Sequence, residues 1–466
     1  MRRAVSAFLV SALWAANGQA QGVTAASLPA PVITKNSVET CLNSRYSQHS
    51  LSKTSATAQQ MGNILWAAGR APVAGTYRNI YVATPTGTYL YDPAGHSLSL
   101  HSNEAVTDGG FAIIYEAQLE FDAGVMFMPA LLAAVSLGHS TESAVASCPK
   151  GIGYPRTRLF FGVQAVSGLT TELAAHCSVP QGQPGWLPDP ATVADDSLEE
   201  VLAHLKYVNS FAQTNLTLPQ ISQILWAGYG CTAHATSNGR AGLTVPSAYA
   251  TYYLSRSIYL VNEDGVRRYQ NRDPSTSAST RDHRLEPVGA APGASRPRAG
   301  SEVPNPQPAD ARAALASAIG GLPKAPCYVV LCLDSANVGQ QYAQLEAGFA
   351  AGNVLIQASA LGLGCHFKPN LTAAEQKSIQ AGTGIPASHL PQAIVSIGVL
   401  ASSVSLEGDA DGDNRVDLED YVILSNGWSS SKPEAGYDAR ADFNEDGLIN
   451  VIDLRLLAAN WLRTVP

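Results

Sequence analysis

"GNILWAAGR" at residues 62–70 and "SQILWAGYG" at 222–230 carry the same words. Ile64-Leu65-Trp66-Ala67 matches Ile224-Leu225-Trp226-Ala227 letter for letter. A short apolar match is weak alone, so its meaning depends on what recurs around it. "YVATPTGTYLYDPAGHSL" (81–98) parallels "YLVNEDGVRRYQNRDPS" (259–275). Each reads as a strand, a glycine-containing turn and a second strand, with Tyr91 and Tyr269 in register. A long helix-like segment follows in both, "EFDAGVMFMPALLAAVSLGHS" (120–140) and "QLEAGFAAGNVLIQASALGLG" (344–364). Setting Gly124 on Gly348 pairs Leu137-Gly138 with Leu361-Gly362. "LFFGVQAVSG" (159–168) and "AIVSIGVLAS" (393–402) close the pattern as strands. Residues 38–177 and 199–402 therefore read as two copies of one domain, joined by a linker over 178–196. "GAAPGASRPRAGSEVPNPQPAD" (289–310) is rich in Pro, Gly and Ser, holds no core and reads as a mobile insertion in the second copy.

The chain has 466 residues, 45% of them hydrophobic and 14% charged, enough for two or three globular domains. "MRR" followed by "AVSAFLVSALWAA" and the small residues ending at Ala20 read as a cleavable export signal over 1–20. The alternative, a membrane anchor, needs a span of roughly 20 apolar residues, longer than this run. Such a chain is expected outside the cytoplasm, secreted or periplasmic, with no membrane span after cleavage. The apolar segments at 123–138 and 347–364 read as close-packed central helices. Seven cysteines show no regular spacing. They read as buried small residues with room for one or two bridges, and Cys327 and Cys332 point to opposite faces of one strand. No basic stripe marks a nucleic-acid partner.

The net charge of −8 has one source. Residues 407–466 hold 13 acidic and 5 basic side chains, which leaves 24 of each sign, from totals of 37 and 29, in the rest of the chain. This acidic tail repeats too. "DADGDNRVDLED" starts at Asp409 and "DFNEDGLINVID" at Asp442. Each is followed by an apolar helix-like run ending in tryptophan, Trp428 and Trp461, so the spacing is constant throughout. Each stretch fits a twelve-residue calcium loop. Oxygen side chains fall at positions 1, 3, 5, 9 and 12: Asp409, Asp411, Asp413, Asp417 and Asp420, then Asp442, Asn444, Asp446, Asn450 and Asp453. Position 7 offers a backbone carbonyl, from Arg415 and Leu448. Gly447 suits the sharp turn at position 6, with Asn414 its counterpart. Val416 and Ile449 at position 8 pin both loops to one small core. An acidic surface turn is the bland alternative, and two full matches in tandem speak against it. The module resembles a type I dockerin over 407–463. That resemblance implies two calcium sites, folding driven by calcium and docking onto a cohesin-like partner.

The repeated body resembles the flavin-dependent nitroreductase family, most closely its thiazoline/oxazoline dehydrogenase branch. The resemblance rests on "LTLPQISQILWAGYG" (216–230), "VPSAYA" (245–250), the helix ending "ALGLG" (360–364) and "VSIG" (395–398). It implies α+β domains with antiparallel sheets, paired as an intramolecular pseudo-dimer with FMN at the interface. The family's Arg-x-Ser-x-Arg phosphate clamp is met by Arg45 and Ser47, with His49 in place of the second arginine. In the second copy Leu205, Tyr207 and Asn209 fill those positions, and Lys206 is the nearby cation. The Pro-Ser element survives as Pro246-Ser247 and the Gly-Leu-Gly as Gly362-Leu363-Gly364, both in the second copy. The first copy lacks the former and reads Gly138-His139-Ser140 at the latter. Pro129 stands where the second copy has Asn353, and a mid-helix proline is expected to kink the helix. Neither composite site is complete, so the resemblance implies at most one FMN per chain. Two functions stay open: an exported flavin oxidoreductase tethered by its dockerin, and a non-catalytic binding or scaffold protein built on a degenerate copy of the fold. Arg45 and Ser47 as helix-end caps, and Trp66 and Trp226 as core anchors, are the bland alternatives for those residues.

Overall fold

The computed structural model describes residues 26–47, 56–71, 77–105, 110–144, 152, 155–165, 169, 185–205, 207–236, 241–271, 282–288, 310–340, 342–400, 407–412, 415–434, 436–444 and 446–463. The expected leader, His49, Lys206, Asp413, Asn414 and all but the last residue of the 289–310 insertion lie outside them.

The first half runs β1 (Ala26–Ser27), α1 (Val38–Ser44), α2 (Ala58–Gly69), β2 (Tyr77–Thr84), β3 (Gly87–Asp92), β4 (Ser97–Ser102), β5 (Phe111–Ala117), α3 (Glu120–Ser136), β6 (His139–Ala144) and β7 (Pro155–Ala165). The second runs α4 (Leu198–Ala203), α5 (Leu218–Tyr229), β8 (Cys231–Ala235), β9 (Ala241–Leu243), β10 (Ile258–Asn262), β11 (Gly265–Gln270), β12 (Arg284–Pro287), α6 (Arg312–Ala318), β13 (Cys327–Asp334), α7 (Ala343–Ala360), β14 (Gly364–Pro369), α8 (Ala373–Thr383) and β15 (His389–Gly398). Besides the small β8-β9 pair, the two large antiparallel sheets share one strand order, apart from β1 at the edge of the first. The first is β1-β4-β3-β2-β5-β7-β6, and the second is β12-β11-β10-β13-β15-β14.

The repeated words form repeated local structure. Thr57 and Thr217, which align when Ile64 is set on Ile224, each cap a helix in a reciprocal box with Gln60 and Gln220. Ser37 and Ser197, in the same alignment, cap α1 and α4. Tyr91 and Tyr269 each lie four residues past a hairpin glycine, Gly87 and Gly265, and both are buried. Each meets a histidine edge-on: Tyr91 with His96 at 2.9 Å, Tyr269 with His283 at 2.8 Å. His96 Nε2 donates to the Pro29 carbonyl, so its Nδ1 accepts the tyrosine proton. Ser222 Oγ donates to the Pro188 carbonyl and accepts from His283 Nε2, which sets the same tautomer in the second half. Burial holds the His283 imidazole neutral, its pKa lowered to about 3.

The long apolar helices α3 and α7 pack against each other at the centre of the main core, which draws on both halves. A Cβ on Gly124 would stand 2.2 Å from the Leu345 carbonyl, and one on Gly348 would stand 2.1 Å from the Phe121 carbonyl. The glycines that align in sequence therefore meet in space, each against the residue three positions before the other, as in an isologous contact. Both helices end alike, with Leu137 and Leu361 as C-caps and Gly138 and Gly362 at φ +77° and +69°. Pro129 does not end the helix, for α3 runs from Glu120 to Ser136. The carbonyl that Pro129 leaves without its helical donor, that of Val125, is the one against which Gly352 closes; a Cβ there would lie 2.9 Å away. The inner faces of both sheets pack on these helices, and α6 and α8 cover the outer face of the second sheet. Cys327 faces the central core and Cys332 the outer one, as their spacing requires. Among the described residues Cys41, Cys231, Cys327, Cys332 and Cys365 are buried and form no disulfide with one another.

The acidic tail forms α9 (Leu418–Asn426) and α10 (Val451–Ala459), preceded in the second repeat by a 3₁₀ turn over Ala439–Ala441. Its core is Val416, Leu424, Ala441, Ile449 and Leu457. Each position-8 residue pairs with the chain beyond the other helix. Val416 exchanges backbone hydrogen bonds with Leu462 and Arg463, and Ile449 exchanges them with Ser429 and Ser430. These partners occupy equivalent places in the two repeats, each just past its tryptophan, Trp428 or Trp461.

Candidate cofactor and metal sites

Arg45 is the C-cap of α1 and is almost wholly buried, at 2% exposure. Its guanidinium crosses to the second half. Nε donates to the Thr244 carbonyl at 3.1 Å, and one Nη2 serves the Leu243 and Val245 carbonyls at 2.7 and 3.0 Å. Nη1 donates to Ser47 Oγ at 3.2 Å. Burial lowers its pKa to about 10, still far above neutrality, so the charge stays. Thr244 O also accepts from Asn353 Nδ2 at 3.2 Å. The structure thus brings Arg45 and Ser47 to the segment that leads into Pro246-Ser247. Four of the five N–H groups of this guanidinium are engaged by protein oxygens.

Ser247 opens a segment of unusual backbone. Tyr249, Ala250, Tyr252 and Arg256 all have positive φ, between 51° and 67°. Non-glycine residues rarely adopt this region, and clusters of such residues mark functional sites. Ser247 Oγ accepts from Tyr252 N at 2.8 Å, and Tyr249 is 82% exposed. Beneath the segment lies Glu346, in the first turn of α7 and 1% exposed. Its Oε1 accepts from the Tyr229 hydroxyl and from Leu254 N at 3.4 Å. Desolvation pushes its carboxyl up to about 7, against hydrogen bonds from Ser247 and Tyr229 that pull it down. Sequence reasoning missed Glu346 as a site residue. The available signal was the one charged residue in a helix built mainly of small and apolar residues.

Gly362-Leu363-Gly364 forms the second cluster. Val208 N donates to the Cys365 carbonyl at 2.8 Å, and Asn209 Oδ1 lies 3.0 Å from His366 Nδ1. A Cβ on Gly364 would meet Val208 at 2.7 Å, so this glycine admits the 207–209 strand; one on Gly362 would meet open space. Leu363 is a core residue. Asn209 and the Gly-Leu-Gly therefore come together, while Pro246-Ser247 belongs with Arg45. Trp226 is buried and donates from Nε1 to the Cys231 carbonyl at 2.8 Å; Trp66 is half-buried beneath the Arg70 guanidinium.

In the tail, carboxylate oxygens of Asp409, Asp411 and Asp420 all lie within 4.8 Å of one another, a donor set that fits a hard divalent cation. Asp420 and Asp453 are buried at 1% and 0% exposure, and backbone N–H groups orient them. Asp420 accepts from Ala410 N, Asp411 N and Asp417 N, and Asp453 accepts from Phe443 N and Asn450 N. Asp417 and Asn450 cap α9 and α10 with their side chains. Gly447 turns at φ +82°. Asn444 Nδ2 donates to Asp446 at 2.8 Å, and Leu448 N donates to it at 2.9 Å. Arg415 stands beside Val416 at the loop exit.

Residues 208–399 match the family model described as the nitroreductase family, and residues 407–460 match the type I dockerin domain. The chain carries a nitroreductase-family domain of mixed α/β structure, followed by a C-terminal type I dockerin domain. No curated protein matches the chain. Among solved structures, one from Anabaena variabilis ATCC 29413, assigned as a nitroreductase, is 13% identical. It covers 84% of this chain and 96% of its own with a TM-score of 0.51, a likeness of fold. Another from Ralstonia eutropha JMP134, also assigned as a nitroreductase, is 22% identical over 50% of this chain and 96% of its own, with a TM-score of 0.35. The E. coli microcin synthetase McbBCD complex is 16% identical over 42% of this chain and 69% of its own, with a TM-score of 0.29. Among the described residues no helix is long and apolar enough to cross a membrane.

Proposed function

We propose that the chain is an exported, oxidoreductase-like protein whose two nitroreductase-like halves form an intramolecular pseudo-dimer. It holds at most one FMN, at the pole of Arg45. Its dockerin takes up two calcium ions and tethers the body to a cohesin-like partner. The observation that carries the flavin reading is the meeting of Arg45 and Ser47, from the first half, with the segment leading into Pro246-Ser247 from the second. A flavin phosphate needs a cation and donors, and this pole supplies a buried arginine beside a hydroxyl. Asn353 and Glu346 support the same segment from below. When bound, FMN would supply the redox chemistry; the chain would bind and orient it and shield it from water. The visible absorbance spectrum of the purified protein, followed by FMN titration, tests the reading. A flavin band or saturable quenching supports it, and neither would leave it without ground.

A second reading has its own observation. Arg45 already gives four N–H groups to protein oxygens, three of those bonds spanning the two halves, which suits a structural clamp as well as a phosphate ligand. A non-catalytic binding or scaffold body, carried by its dockerin, would keep this clamp and take no flavin. The same titration separates the two.

A further inference from the structure

The two calcium loops are not equal. By sequence the first offers five carboxylates, Asp409, Asp411, Asp413, Asp417 and Asp420. The second offers three, Asp442, Asp446 and Asp453, with Asn444 and Asn450 at the other two positions. Affinity of such loops follows ligand charge and rigidity, so the second loop starts at a disadvantage. It carries one further feature. Asp442, at position 1, accepts through Oδ2 from Gly447 N at 2.8 Å and from the Tyr437 hydroxyl at 2.5 Å. Its Oδ1 accepts from Asp446 N at 3.1 Å, within the loop. Both oxygens thus accept from the loop's own backbone, and Oδ2 is fixed in addition by a hydroxyl from outside the loop. When Asp409 is set on Asp442, the residue aligned with Tyr437 in the first repeat is Val404, which has no hydroxyl.

We infer that Tyr437 is a positioning residue for the second calcium loop, holding Asp442 in its ligating rotamer and so offsetting the loop's lower charge. This rests on the calcium reading of the dockerin. The phenol would stay outside the ligand set; it donates a neutral hydrogen bond to Oδ2, which leaves Oδ1 as the oxygen to turn toward a cation. Partners of this kind commonly set affinity by tenfold to a hundredfold, because a free carboxylate must be ordered when the ion binds.

The test uses the full chain stripped with chelator and titrated with calcium by calorimetry. The unmutated protein should show two binding events. Tyr437→Phe keeps the ring packed and removes only the hydroxyl. It should weaken one event by about tenfold to a hundredfold and leave the other unmoved. In an Asp442→Ala background the same change should do nothing further, since its target is gone. Two events unmoved by Tyr437→Phe, or both weakened alike, would overturn the inference while leaving the calcium reading intact. No calcium uptake by the unmutated protein would overturn both. Amide exchange of α10 in saturating calcium separates these outcomes from simple misfolding, because the Tyr437→Phe protein should regain full protection there.

Discussion

The crossing of α3 and α7 admits a quantitative test. Gly348→Ala places a Cβ 2.1 Å from the Phe121 carbonyl oxygen, where real Cβ atoms essentially never come closer than 3.0 Å. The colliding atom is backbone, so no rotamer change relieves it and the helices must part by about 1 Å. Overpacking of this kind costs roughly 1–3 kcal/mol, and the better helix propensity of alanine returns about 1 kcal/mol. Separation also loosens the Phe127–Phe349 contact, whose ring centroids lie 6.2 Å apart. A net loss of up to about 2 kcal/mol is expected, equivalent to at most a few degrees in the unfolding temperature of the body. Gly124→Ala should cost as much, for its Cβ would lie 2.2 Å from the Leu345 carbonyl. The decisive measurement is the double variant, with unfolding followed by calorimetry in saturating calcium. Once one methyl has parted the helices, the second enters space already opened, so the pair should cost clearly less than the sum of the singles. Strict additivity, or no loss in either single variant, would refute the contact and with it the pseudo-dimer packing.

Arg45→Ala should weaken FMN binding tenfold to a hundredfold, from the loss of one charge-assisted contact worth ~1.5–3 kcal/mol, while Lys206→Ala should change it little; fluorescence quenching by both variants measures this. Glu346 has its folded pKa raised to about 7 from 4.5, so its contribution to stability is fully present below pH 4.5 and is lost as pH rises through 7. The span amounts to about 3 kcal/mol, and Glu346→Gln should flatten the fall in unfolding temperature between pH 5 and 8, whereas an unchanged pH profile would exclude Glu346 as its source. Chelator should leave residues 407–463 unprotected against amide exchange while the body stays protected, since the clustered carboxylates within each loop are left uncompensated without a cation; equal protection with and without calcium counts against the calcium reading.

Much of this protein was legible in its sequence. The matched words, in the same order in the body and at a constant spacing in the tail, let the sequence by itself suggest the repeats. It could do so because caps, hairpin glycines and position-8 apolar residues act through neighbours close in the chain. Thr57-x-x-Gln60 and Thr217-x-x-Gln220 make the same box wherever they stand, and Gly447 turns for reasons local to its loop. What the tertiary structure alone decided concerns partners distant in the chain. Arg45 reads in sequence as half of a phosphate clamp; that its guanidinium also reaches the carbonyls of Leu243, Thr244 and Val245 in the other half is visible only in the fold. Gly124 and Gly348 could be aligned in sequence, but only the crossing of two buried helices makes them touch. Pro129 promised a kink, and Gly352 from the facing helix closes on the carbonyl it leaves bare. Glu346 is an ordinary acid in sequence; its raised pKa comes from desolvation, which no local pattern encodes. Local geometry is written residue by residue, whereas burial and the pairing of remote polar groups exist only once the chain has folded upon itself.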